Sequence, residues 1–498
     1  MIDQAVGVSG FSLGLVQTLQ QTGSAAMAGA LSDPITSLQA YSLGLPLAYL
    51  QGFGNPVFQS WRQNHTLFGQ DHWQPVPELT LSLGLRYQMD WPGAIRNSQT
   101  LDPRVGFAWA PGRSSHTVIR GGFGLFHQWV MPPIPFGQVE LNRQDASLVV
   151  VSLSGAPGVI NPQTGGLLTS ADIYQRLLAE GVIGNRPIVQ SDLAALGLTA
   201  GFRFPEEGGV QADYRSPYSE QYSLDIEHSF RSLLVGASFQ FTRSAHLWRV
   251  RDHNLVDLGT QPNGLPLIGR QDPNVANYYF YESAANAFYS AVTVQVSRRF
   301  RRYWSFVTHY TLSRATDEVT DFNLEYQPNN QFDARADRGL APFHQKHRFV
   351  FSGVFQSPWA GHRSLAGWTV SASAEAHSFE PYNIITGDDN AGDGQVTNHR
   401  PVGLGRDVGI GPNFFGMNAR LMRTLRIGAE KTRLSFLIET FNILNRTNFQ
   451  SVNNVVGDIP LSALPKPLIG RRSDPTLPFS FTAANDPRQI QLGAKISF

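Results

Sequence analysis

The chain has 498 residues, 15% of them charged and 11% aromatic, with 47 glycines, 31 prolines and no cysteine. Its 39 Lys+Arg against 38 Asp+Glu leave a net charge of +1, so no global field recruits nucleic acid, and the basic residues are scattered rather than striped. The lack of cysteine excludes disulfide frameworks and thiolate metal sites, and no run reaches the ~18–20 apolar residues of a membrane helix, which leaves open the ~9–11 residues of a membrane strand with one apolar face.

Residues 5–20 read as a first strand and 21–62, rich in Gly, Ala, Ser and Pro, as loop. The opening MIDQAVGVSGFSLGLVQ has no basic region ahead of an apolar core and does not read as a signal peptide. Strand candidates then follow at 64–74, 79–90, 101–110, 116–128, 218–230, 232–244, 287–300, 303–316, 345–357, 367–379, 414–427, 430–443 and 488–498. Several alternate with the period of two that puts successive side chains on opposite faces. Leu79, Leu81, Leu83, Leu85 and Tyr87 oppose Thr80, Ser82, Gly84, Arg86 and Gln88, and three valines at 292–296 oppose Thr293, Gln295 and Ser297. In 222–230, Tyr222, Leu224, Ile226 and Phe230 share a face with His228.

The connections alternate between short and long. Short ones fall at 75–78, 111–115, Arg231, 301–302, 358–366 and 428–429, and long ones at 21–63, 91–100, 129–217, 245–286, 317–344, 380–413 and 444–487. A soluble sandwich has no reason to gather its long loops at one end, whereas an outer-membrane barrel has short periplasmic turns and long extracellular loops. Loop 129–217 is too long for a bare connection. It holds two expected helices, one capped by Ser170 with Ile173, Leu177 and Leu178 on one face, the other after Ser191 with Leu193, Leu196 and Leu198. They would form either a lid or a packed surface excrescence. Trp73, Tyr87, Trp109, Phe126, Phe230, Tyr303, Trp304, Phe355 and Trp368 lie near strand ends and read as interfacial girdles or as core. Arg423 shares the apolar face of Leu421 and Leu425. A mid-bilayer Arg costs about 2–4 kcal/mol, so a bulge or a reach to the interface is needed there.

The last strand puts Ile490, Leu492, Ala494, Ile496 and Phe498 on one face and Gln491, Gly493, Lys495 and Ser497 on the other. Alone, it reads equally as the closing strand of a soluble β-protein and as a membrane strand.

Motifs for chemistry are sparse. Gly10-Phe11-Ser12-Leu13-Gly14 matches a nucleophile elbow without the strand and helix that motif needs, and reads as coincidence. Asp388, Asp389, Asn390, Asp393 and Gly394 resemble the start of a calcium loop. Ala391 and Arg400 occupy the third and twelfth positions and exclude an ordinary EF-hand. Asp389 and Asp393 stay as candidates for a looser calcium site, against the bland reading of an Asx-rich turn. His344 and His347, three apart on a strand, face opposite ways and are poor co-ligands. Arg298, Arg299, Arg301 and Arg302 surround a turn that either meets anionic headgroups or is simply solvated.

Several stretches together resemble TonB-dependent outer-membrane receptors, most nearly the Oar-like subgroup. They are DHWQPVPELTLSLGLRYQMD (71–90), DPRVGFAWAP with HTVIRGGFGLFHQ (102–128), RGLAPFHQKHRFVFSGVFQSP (338–358), TRLSFLIETFNILNRTNFQ (432–450) and DPRQIQLGAKISF (486–498). The resemblance implies an all-β fold, an antiparallel transmembrane β-barrel, here partial at about 13–14 strands against the family's about 22, with long extracellular loops. It divides the chain into 1–62, a first strand and extracellular loop, and 63–498, the C-terminal part of a barrel with a helix-containing extracellular loop at 129–217. It implies uptake of a large nutrient (siderophore, glycan or peptide) without enzymatic chemistry or cofactor. The implied partners are outer-membrane lipid, the barrel-assembly machinery reading Ile490, Leu492, Ala494, Ile496 and Phe498, and, if intact, a plug domain and the TonB complex. The family's signal peptide and plug have no counterpart here, so the expectation is a fragment. A passive porin or surface adhesin barrel, and a soluble all-β carbohydrate-active protein, are the alternatives.

Overall fold

A computed structural model of the chain describes residues 42–46, 48–54, 57, 59, 61–92, 97–112, 116–131, 146–152, 155, 159–198, 206–262, 264–272, 275, 277–300, 303–319, 326–358, 366–389, 391–393, 395, 399–427, 432–457 and 459–498. The strand expected at 5–20, the Gly10–Gly14 motif, Arg301, Arg302, Asn390 and Gly394 lie outside them.

Thirteen strands form one antiparallel sheet in which each pairs with its neighbours in the chain. They are β1 (Gln63–Val76), β2 (Leu79–Trp91), β3 (Ser98–Trp109), β4 (Thr117–His127), β5 (Tyr218–Phe230), β6 (Leu233–Asp252) and β7 (Asn277–Arg298). There follow β8 (Trp304–Asp317), β9 (His347–Gln356), β10 (Trp368–His377), β11 (Phe414–Arg426), β12 (Arg433–Phe441) and β13 (Gln489–Ser497). Two short strands, Glu206–Val210 on β7 and Gly339–Leu340 on β8, join the same sheet off this path. Among the described residues β1 and β13 do not pair with each other.

The register carries the alternation of single strands across the whole sheet. Leu83 pairs with Val105, Val105 with Phe123, Phe123 with Tyr222 and Tyr222 with Phe241. Further along, Phe239 pairs with Val292 and Val292 with Leu312, while Val370, Leu421, Ile438 and Leu492 form another such row. Most of these side chains are exposed, in contrast to the buried residues of a soluble core. An exposed apolar surface of this extent is what a lipid-facing strand wall presents. The band breaks off at the edge strand β1, where Gly69 and Asp71 occupy two of its positions opposite Leu85 and Leu83. The other face is polar, with Thr293 hydrogen-bonded to Thr311 at 2.8 Å and ion pairs Arg120–Glu227 (2.6 Å), Arg348–Glu375 (2.7 Å) and Arg420–Glu439 (3.4 Å).

The β1–β2, β3–β4, β5–β6, β7–β8, β9–β10 and β11–β12 connections lie at one end; at the other end the β2–β3 connection, expected to be long, spans only 92–97. The β5–β6 turn is only Arg231-Ser232, with Arg231 at φ 52°, the left-handed conformation a two-residue hairpin requires. At this end Trp73, Trp109, Phe230, Trp304, Phe355 and Trp368 share the apolar face. Phe126 does not. It pairs with Ser219 on the polar face, and the Arg104 guanidinium lies 4.5 Å from its ring centre. Arg423 resolves without a bulge: it pairs with Trp368 near the short-turn end, its guanidinium 5.2 Å from that ring. Arg298 sits likewise over Trp304 at 3.9 Å. Both cations therefore stand at the aromatic rim, where a cation–π contact is worth roughly 0.5–2 kcal/mol, instead of at mid-bilayer.

β6 and β7 have 20 and 22 residues, far beyond what a membrane crossing needs. Register shifts between Ser283 and Ala287, with His246 at φ 56°, bend the pair where it leaves the apolar band. Above that bend burial becomes complete, around Val130, Tyr214, Val250, Tyr279 and Tyr281. A second core joins the antiparallel strand pair Ala48–Gly54 and Ala146–Ser152 to α1 (Ser170–Ala179) and α2 (Gln190–Ala194) through Val151, Ile173, Leu177, Leu193, Leu196 and Leu198. Residues 48–54, read as loop from composition, are thus a strand. The cap of α1 is Thr169 instead of Ser170: its side chain accepts from the Asp172 N–H, and the Asp172 carboxylate accepts from the Thr169 N–H at 2.9 Å. Ser170 is buried within the first turn and donates to the Pro46 carbonyl. Ser191 likewise lies inside α2 instead of ahead of it. A third core, around Ile384, Val456, Leu464 and Phe479, knits the β10–β11 and β12–β13 connections together.

Candidate functional site

Where the long connections meet the strand tips, buried charge replaces the apolar band. Glu282 of β7 accepts from Arg251 Nε at 2.9 Å and faces His253 Nε2 at 3.1 Å and Arg249 at 3.5 Å. Arg251 also donates to the Gln331 carbonyl at 2.6 Å, tying the 326–338 segment to β6. Across the sheet, Asp90 binds Arg62 at 2.6 Å, and Asp102 accepts from Gln88 at 2.8 Å and contacts His127 at 2.6 Å.

Arg406 is the hub of the opposite side. Its side chain is only 1% exposed. It donates to the Asp337 carbonyl at 2.9 Å and pairs with Asp317 at the tip of β8 and with Asp407 at 3.3 Å. Burial pushes the Asp407 carboxyl up to about 6, against the opposing pull of Arg406. Arg400 pairs with Asp337 and donates through its backbone N–H to Asn329 at 2.8 Å. These contacts fix 399–409 against 326–338 and enclose a cavity of about 310 Å³ lined by Asp257, Thr260, Asn329, Asn330, Phe332, His399 and Arg400 among others.

The structure brings Asp389 and Asp393 together, and adds His399. One donor atom from each lies within 4.8 Å of the other two. His399 Nε2 is 2.9 Å from Asp393 Oδ1, and both side chains are buried. Burial pulls the His399 imidazole down, but the hydrogen bond and charge of Asp393 outweigh it and hold it above its ordinary value. His399 occupies no ligand position of a calcium loop, and its one signal in the sequence is a histidine just before Arg400. His344 and His347 do stay apart, although His344 lies ahead of β9 instead of on a strand: His344 Nδ1 accepts from the Ala315 N–H at 3.2 Å and His347 contacts the Tyr310 hydroxyl at 2.6 Å. Ile490, Leu492, Ala494 and Ile496 lie on the apolar face of β13, paired with Thr440, Ile438, Phe436 and Leu434, and Phe498 follows them 99% exposed.

A nearest-neighbour antiparallel sheet with an exposed apolar face, an aromatic rim and a polar reverse defines a membrane β-barrel wall. The family model described as "Outer membrane beta barrel domain" matches residues 8–100 and 93–407, and the chain belongs to that family. Its place is the outer membrane, and the family is one of barrels, not of enzymes. Among solved structures it is similar to the outer membrane transporter YddB from Escherichia coli, at 10% identity and TM-score 0.48, covering 87% of this chain and 45% of that one. It is also similar to the FrpB iron transporter from Neisseria meningitidis, at 10% identity and TM-score 0.43, over 87% of this chain and 45% of that one. For the ferric-catecholate import receptor Fiu from E. coli K12 the values are 11%, 0.42, 87% and 44%. The chain thus spans under half the length of these proteins. No curated protein matches it.

Proposed function

We propose that this chain supplies barrel wall to a TonB-dependent receptor of the Oar-like kind, which takes up a large nutrient such as a siderophore, glycan or peptide. In this reading the short-turn end faces the periplasm and the built-up end faces outside, residues 63–498 are the C-terminal part of the barrel, and 129–217 is an extracellular loop with its own helices. A plug domain and the TonB complex complete the machine, and the barrel-assembly machinery reads the Ile490–Phe498 strand. The observation that carries the reading is the gathering of long connections into one packed, charge-lined cap over a polar-faced wall. A passive porin needs no such built surface, since an open lumen suffices for diffusion.

The test is genetic. Deleting the gene and deleting the TonB complex should give the same, non-additive growth defect on panels of siderophores, glycans and peptides supplied as limiting nutrients. Uptake that persists without TonB and disappears with the gene would establish the passive barrel instead.

A further inference from the structure

The Asp389–Asp393–His399 cluster asks for something that its protein partners do not provide. Asp389 Oδ1 accepts from the N–H groups of Gly392 (2.8 Å) and Asp393 (3.0 Å), with Gly392 at φ 78°, and this tight turn swings the Asp393 carboxylate inward. There Asp393 is 1% exposed. Its Oδ1 accepts from the Gln395 N–H at 2.9 Å and contacts His399, but its Oδ2 is buried with no hydrogen-bond partner among the described residues. A buried carboxylate oxygen left unpaired is costly and calls for an explanation such as a bound ion. The Thr386 N–H donates to the His399 carbonyl at 2.8 Å, so the two ends of the loop are already fastened and the three side chains converge without further folding.

We propose that Asp389, Asp393 and His399 form a binding site for a divalent first-row transition ion of the zinc type. Two carboxylates and one imidazole are a three-ligand N/O set of the kind that holds Zn²⁺ with one position left for water. Calcium takes 6–8 oxygen ligands, and imidazole favours Zn²⁺, Cu²⁺, Ni²⁺ or Fe²⁺ instead. His399 and Ala391 also line the 310 Å³ cavity, so the ion stands in its wall and ties Asp389 and Asp393 to His399 beside it. The site is independent of whether the barrel couples to TonB.

The experiment uses the full chain, tag-free and folded in detergent, stripped with a chelator and titrated calorimetrically with zinc chloride and, separately, calcium chloride. Bound metal is counted after gel filtration. The expected result is about one Zn²⁺ per chain, bound at least about tenfold more weakly by His399→Gln and by Asp389→Asn, with His72→Gln unchanged. The Asp389 substitution affects an exposed side chain, and heat-modifiable gel mobility checks that each variant is folded. Absence of stoichiometric zinc, equal zinc affinity in the folded ligand variants, equal loss in His72→Gln, or tighter binding of calcium than of zinc would each overturn the proposal.

Discussion

Arg406 joins three segments far apart in sequence, because one guanidinium reaches the tip of β8, the Ala334–Asp337 turn and its own neighbour Asp407. Removing it leaves carboxylates buried without a cation, which costs about 3–5 kcal/mol. Arg406→Ala should therefore accelerate backbone hydrogen exchange across 401–409 and 334–340 while the β2–β4 strands stay protected. Unchanged exchange in the cap would refute this role. Asp407 makes a pH-dependent contribution of the opposite kind. Its folded value of about 6 exceeds the ordinary 3.8, so the folded cap holds that proton more tightly. The associated stability is full below about pH 4 and is lost as pH rises through about 6. Asp407→Asn removes this dependence, so cap protection factors should no longer fall between those values. A fall of the same size in the variant would assign the effect to another group.

At the scale of the element, the two faces of one strand should answer oppositely to the same change. Val292 and Thr293 are neighbours in the middle of the Ala287–Arg298 part of β7, on the apolar and polar faces. Val292→Arg should cost about 2–4 kcal/mol in denaturant unfolding from lipid, and Thr293→Arg clearly less. Equal costs would mean that the wall has no lipid face. In β13, deletion of Phe498 should lower outer-membrane yield if this exposed terminal aromatic is read during assembly, and an unchanged yield would remove it from that role. The thirteen sheet strands are legible in the sequence because a wall with lipid on one side and polar groups on the other forces a period of two on residue after residue. The upper halves of β6 and β7 are not, because above the bend at Ser283–Ala287 both faces are covered and the alternation disappears. The Ala48–Gly54 strand was hidden for a related reason: its partner, Ala146–Ser152, lies about a hundred residues away, and its Gly-rich composition reads as loop. Among the site residues, Asp389 and Asp393 were visible as a local pattern. His399 joins them only through the path of the loop, and Arg406 meets Asp317 only through the tertiary fold, which no spacing rule encodes.

For the whole molecule, an antiparallel meander explains how low charge, abundant glycine and a modest share of apolar residues still make a membrane protein: each strand needs only half its side chains to be apolar. It also leaves two edges, β1 and β13, with backbone groups that pair with nothing among the described residues. Exposed edges of this length seek strands, and in a barrel wall those strands belong to the same ring. On heating in detergent, a folded barrel should shift in gel mobility, and a chain recovered soluble and without that shift would not be one.

The absence of native cysteine allows the central claim, that one face of this sheet meets lipid, to be measured directly. Single substitutions along β7, from Val292→Cys through Val296→Cys, can be probed in outer membranes with a water-soluble maleimide. The register predicts labelling at 293 and 295, on the polar face, and protection at 292, 294 and 296, on the face that meets lipid. Uniform labelling, or labelling of the valine positions in place of the others, would contradict it.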